Sequence, residues 1–144
     1  MKFTDILRWL ATGKVPTRAE KLLRLAEKGN AAAQSELGLC YHEGDGIPHN
    51  VKESMRWFIL AARQGDAQAQ YYLGRAYHSG EGVPKDIESA YAWLARSAAQ
   101  GHKKAAEWQA MIMKEISPEQ IDEGNRLVQE AERKPIPPRP GFST

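Results

Sequence analysis

Apolar residues recur every four positions in two stretches of the chain, first Ala33, Leu37 and Tyr41 and then Ala69, Leu73 and Tyr77. That spacing sets one apolar stripe along a helix. Each stripe begins just after Asn30 or Asp66, and each of these directly follows a glycine, the pattern of a helix end running at once into the N-cap of the next helix. Each stripe stops at a glycine-proline segment, GDGIPHN at 44–50 and GEGVPKD at 80–86. The two glycines there permit positive φ at the helix end, and Ile47 or Val83 can plug the gap between helices. The proline forbids helical continuation, while Asn50 or Asp86 caps a second helix, with Glu53 completing a capping box in the first copy. That second helix carries Trp57 or Trp93 and ends at Gln-Gly. Gly38 and Gly74 sit on the apolar stripe although each costs about 1 kcal/mol relative to alanine. A neighbouring helix approaching closely explains them.

The two stretches are copies of one another. Laying residues 30–65 over 66–101 gives 14 identities in 36 positions, where composition alone gives about two. Weaker fragments flank them. AEKLLRLAEKGN at 19–30 reproduces the end of a second helix, introduced by a capping box of Thr17 and Glu20. After Gly101 the register continues through Ala105, but Gln109 and Ala110 stand where Leu and Gly belong, so the third copy is degenerate. A last helix over 117–133 starts with Ser117 as N-cap, Pro118 at its first position and Gln120 closing the box, and it reads as a terminal cap. The predicted organisation is a single helical domain over 1–134, with an extended, proline-rich tail over 135–144.

The pattern A-Q…L-G…Y…G-x-G-[IV]-P…[ND]…W…A…Q-G resembles the Sel-one-like repeat family, relatives of the tetratricopeptide α-solenoids, in both copies. The resemblance implies an all-α fold, a short right-handed α-α superhelix of two full repeats between partial ones. It also implies that partners lie in a concave groove lined by the first helix of each repeat. That lining maps onto Ser35, Leu39 and His42, onto Tyr71, Arg75 and His78, and onto Glu107, Met111 and Lys114 of the degenerate copy. These positions are four and three residues apart, one helical stripe. Tyr71 and Arg75 combine flat contact area with a bidentate cation, so an acidic partner segment is expected. The function so implied is a non-enzymatic scaffold that binds a peptide segment of another protein; an inhibitor or immunity-type protein blocking a partner enzyme is the alternative, and a hydrolase the third.

Composition adds exclusions. With 42% hydrophobic and 26% charged residues among 144, the chain has the make-up of an ordinary globular domain. The net charge is only +2, with seven Lys/Arg against three Asp/Glu in residues 1–29. That modest basic segment falls short of a nucleic-acid footprint. No apolar run reaches the roughly 20 residues of a membrane span, and Asp5 and Arg8 interrupt what would be a signal sequence, so a cytoplasmic protein is expected. HExxH, GxSxG, Ser-x-x-Lys, paired CxxC and phosphate-loop motifs are missing from the sequence. Cysteine-rich secreted members of the resembled family are linked to β-lactam chemistry; this chain has neither their paired cysteines nor the Ser-x-x-Lys. Cys40 has Ala76 as its counterpart and is expected to be buried filler. The duplicated His42 and His78 are expected to stand too far apart to share one metal. Neither metal nor cofactor is expected.

Overall fold

The structure is a computed structural model describing residues 11–13 and 17–135. Seven helices follow one another among them: α1 Arg18–Glu27, α2 Ala31–Glu43, α3 Val51–Arg63, α4 Ala67–Ser79, α5 Ile87–Ala99, α6 Lys103–Met113 and α7 Pro118–Arg133. No described residue is in a strand. The expectations for residues 1–10 and for the tail beyond 135 lie outside the described residues.

The helix ends follow the local chemistry of the sequence. Asn30, Asp66 and His102 each cap a helix by accepting the backbone N–H three residues on, at 2.9, 2.8 and 3.1 Å. The preceding Gly29, Gly65 and Gly101 hold φ of 94, 95 and 92°, so consecutive helices meet at a corner that a side chain would strain. The glycine-proline corners are built alike. Gly44 and Gly80 end α2 and α4 in the left-handed region, and the N–H of Asn50 or Asp86 donates across the corner to the carbonyl of Tyr41 or Tyr77, at 2.9 Å in both. Thr17 with Glu20, and Ser117 with Gln120, form the expected capping boxes.

Packing repeats as well. The first helix of each full repeat lies against its own second helix, α2 on α3 and α4 on α5, and each second helix packs on the next first helix. Glycine makes the closest of these approaches possible: a Cβ on Gly38 would sit 2.8 Å from the Phe58 ring, and one on Gly74 would sit 2.6 Å from Leu94 Cγ. The buried core runs through Leu37, Trp57, Phe58, Leu73, Trp93 and Leu94. A glutamine ladder stitches successive layers: Gln34 Nε2 donates to the Ala26 carbonyl at 3.1 Å, and Gln64 Nε2 to Gln34 Oε1 at 2.7 Å. Gln70 and Gln100 repeat both bonds at 3.2 and 2.8 Å. The Ala26 and Ala62 carbonyls, in the last turns of α1 and α3, also accept the backbone N–H of Gly29 and Gly65, so each oxygen serves two donors.

The third copy departs from this scheme. α7 packs on α5, while α6 and α7 barely touch. Gln120 and Gly124 meet Glu88, and Glu132 pairs with Arg96 at 2.9 Å, so α7 runs parallel to α5. Val128 is buried in the cluster that holds Trp93.

Candidate functional site

The nine positions expected to line a groove have four different fates. Ser35 and Tyr71 are buried, at 1% and 5% exposure, and cannot meet a ligand directly. The reason is the next repeat: Ser35 Oγ lies 3.3 Å from Gln68 Oε1, and the Tyr71 ring stacks on His102 with centroids 4.5 Å apart. Leu39 is half-buried and leans on the cluster of Met55 and Phe58. His42, Arg75 and His78 come together at one cleft. Glu107, Met111 and Lys114 are exposed along α6.

The cleft, about 150 Å³, opens where α2, α4 and α6 approach the second corner loop. Its floor and walls are Met55, Tyr72, Ala76 and Trp108, and its polar groups are His42, Arg75, His78, Ser79 and Glu81. Trp108 organises one side. The Arg75 guanidinium lies 5.3 Å from its ring centroid and 5.5 Å from that of Tyr71, and His78 meets its edge at 5.3 Å. A guanidinium held between rings keeps its face covered and its N–H edge free to act as a fork for a carboxylate. Arg75 Nη1 donates to the Tyr71 hydroxyl at 3.4 Å, and no described carboxylate pairs with Arg75.

On the opposite side His42 Nε2 lies 3.6 Å from Glu81 Oε1. His49 Nδ1 donates to the His42 carbonyl at 2.8 Å, tying the corner loop to α2. Tyr72 stacks on Phe58 at 5.1 Å, and burial, aided by Tyr71 and Glu43, raises its phenol above the ordinary value against the pull of Arg75. It therefore stays a neutral donor throughout the physiological range. The sequence placed Trp108 nowhere; its step of 36 residues from Tyr72 was the signal, since both rings face back onto the preceding first helix.

Other chemistry is sparse. Cys40 is 2% exposed, and burial raises its thiol pKa although Arg18 opposes the shift, so it is held as a thiol. No cluster of three metal-ligating side chains occurs among the described residues. No described helix is long and apolar enough to cross a membrane.

Stacked helical pairs, glycine corners and a repeat of 36 residues define an α-solenoid of tetratricopeptide-like class. The Sel1 repeat model matches residues 31–66 and 67–102, so the chain belongs to the Sel1 repeat family, whose members generally mediate protein–protein interaction on a scaffold that is itself non-catalytic. The match falls one residue later than the boundaries read from the sequence and leaves the degenerate third copy outside. Among solved structures, a protective antigen of uropathogenic Escherichia coli displaying an SLR fold is similar at 26% identity and a TM-score of 0.70, over 87% of this chain and 28% of that one. A Sel1 repeat protein from Oxalobacter formigenes is similar at 37% identity and a TM-score of 0.62, over 75% of this chain and 84% of that one. The chain thus spans little more than a quarter of the Escherichia coli protein. No curated protein matches it.

Proposed function

We propose that the protein is a non-enzymatic scaffold that takes an acidic segment of a partner protein at the cleft between α2, α4 and α6. The observation that carries this reading is the Arg75 guanidinium, exposed at the cleft mouth, laid against the Trp108 and Tyr71 rings and unpaired with any described carboxylate. An incoming Asp or Glu offers the bidentate partner that Arg75 lacks, while Met55 and Trp108 give an adjoining apolar side chain somewhere to go. Glu81 sets the selectivity on the far wall. Its carboxylate, drawn toward His42, repels a second acidic residue placed there, so the preferred segment carries one carboxylate beside an apolar residue rather than an acidic run.

Co-purification from native cells followed by mass spectrometry identifies the partner, and calorimetry against its segments tests the cleft. Arg75→Ala is expected to weaken binding by about 2 kcal/mol, and Arg75→Lys by nearly as much, because an ammonium cannot form the fork. The melting point moves little, since the group is exposed. Wild-type affinity in Arg75→Ala moves binding off this cleft.

A further inference from the structure

The corners at which one repeat hands over to the next carry three different caps. Asn30 and Asp66 accept the amide N–H of Ala33 and Ala69 through a side-chain oxygen, whereas His102 accepts that of Ala105 through its ring nitrogen Nδ1, at 3.1 Å. An amide or carboxylate oxygen keeps its lone pairs at neutral and mildly acid pH. An imidazole nitrogen accepts only while it is unprotonated, and histidine changes charge between about pH 8 and 5. The cap on α6 therefore requires the neutral ring with its proton on Nε2.

The surroundings give a protonated ring little in exchange. It would stand at the positive end of the α6 dipole, beside Lys103 and Lys104, in a first turn without an acidic residue. Facing it from α4 is the buried Tyr71, whose ring stacks on it with centroids 4.5 Å apart and already carries the Arg75 guanidinium at 5.5 Å. A second cation on that ring gains from the π-face but is repelled by the first. α5 meets His102 through the Ser97 carbonyl, which accepts its backbone N–H at 3.3 Å. No carboxylate pairs with the ring among the described residues.

We propose that His102 is a pH-sensitive cap: as pH falls through the imidazole range Nδ1 takes a proton, the bond to Ala105 is lost and the first turn of α6 opens. The stability that the cap contributes is complete where the ring is neutral and is lost toward acid. Ala105 is fully buried in the cluster against which Trp108 packs, so the loosening reaches the wall of the cleft. Its bearing on partner binding rests on the cleft being the partner site; the opening itself does not.

The test follows the Ala105 amide of the full chain by nitrogen-15 NMR at about pH 7.5 and about pH 5.5, on either side of the imidazole titration. Protection of Ala105 against exchange, corrected for the intrinsic effect of pH, is expected to drop about fivefold, the worth of one cap. Ala33 and Ala69, under their oxygen caps, should hold their protection, and the His102 ring should show the Nε2–H tautomer at the higher pH. His102→Asn copies the cap of the first full repeat. It forgoes the stack on Tyr71 at every pH, but its Ala105 protection should be the same at both values, and His42, His49 and His78 remain in it. Unchanged Ala105 protection in the wild type, an Nδ1–H tautomer at the higher pH, or a His102→Asn variant that loses protection as the wild type does overturns the proposal.

Discussion

α4 and α6 hold the same place in successive repeats and differ in what covers them. α4 is closed on both sides: α5 crosses it so tightly at Gly74 that a methyl group would strike Leu94, and α6 lays Trp108 along its other edge. Among the described residues, α6 has α5 behind it but neither its own second helix nor a following first helix. The sequence follows the difference residue by residue. Leu73, Gly74 and Tyr77, which face α5, become Gln109, Ala110 and Met113, and Met113 is 52% exposed. In a stack where each repeat touches only its neighbours, a position freed from packing is freed for binding. Among the described residues the first helices thus show two stages of coverage, internal where a repeat follows and exposed on α6.

The largest expected effect falls on the helix that makes the third copy unlike the others. A Cβ at Gly124 would run into the backbone carbonyl of Glu88, which cannot swing aside as a side chain can. Gly124→Val is therefore expected to cost about 3 kcal/mol in urea unfolding, at the upper end for overpacking. If only α7 lets go, far-ultraviolet circular dichroism should lose about one helix in a separate early step, since the layers from α1 to α5 keep their own contacts. Full stability in the variant would mean that α7 does not lie on α5.

The two corner loops allow a finer comparison. Gly46 and Gly82 hold φ of 71 and 75°, but a Cβ on Gly46 meets nothing nearer than Ala19 at 3.8 Å, whereas one on Gly82 lies 2.7 Å from Met55 and Val51. Gly46→Val is expected to cost about 1 kcal/mol, the strain of a β-branched residue at positive φ, and Gly82→Val about 2 kcal/mol because overpacking adds to that strain. Equal losses in thermal melts would assign both to the backbone alone.

The fold was legible because its determinants are local: glycine at positive φ, Asn or Asp at the N-cap, and the four-residue apolar spacing all act within one or two turns. The site was legible only in part. His42, Arg75 and His78 do meet, but Tyr71 and Ser35, read as contact residues from their place on the stripe, are buried by His102 and Gln68 of the following repeat. That placement depends on a neighbour 31 to 33 residues away, which spacing within one helix cannot report. Tyr71→Ala is accordingly a change to the core rather than a probe of binding, and Arg75 alone separates the two. The direction of α7 was hidden for a related reason, since Gly124 reads as a weak point within a helix until the crossing with α5 is seen.

The smallest effect sharpens the comparison of α4 with α6 itself. Ala110 stands where Gly38 and Gly74 stand in the full repeats, and it is exposed. If no second helix crosses there, alanine is kept simply because it favours helix, and Ala110→Gly should cost about 1 kcal/mol through propensity alone. Gly74→Ala gains that same propensity but pushes a methyl group to 2.6 Å from Leu94 and 3.1 Å from the Ala90 carbonyl, so it is expected to come out destabilising as well. The two swaps then fail for opposite reasons, and hydrogen exchange tells them apart. Ala110→Gly should speed exchange within α6 only, whereas Gly74→Ala should loosen α4 and α5 together. Stabilisation by Ala110→Gly would mean that a helix does press on α6 at that point, and α6 would then be as closed as α4.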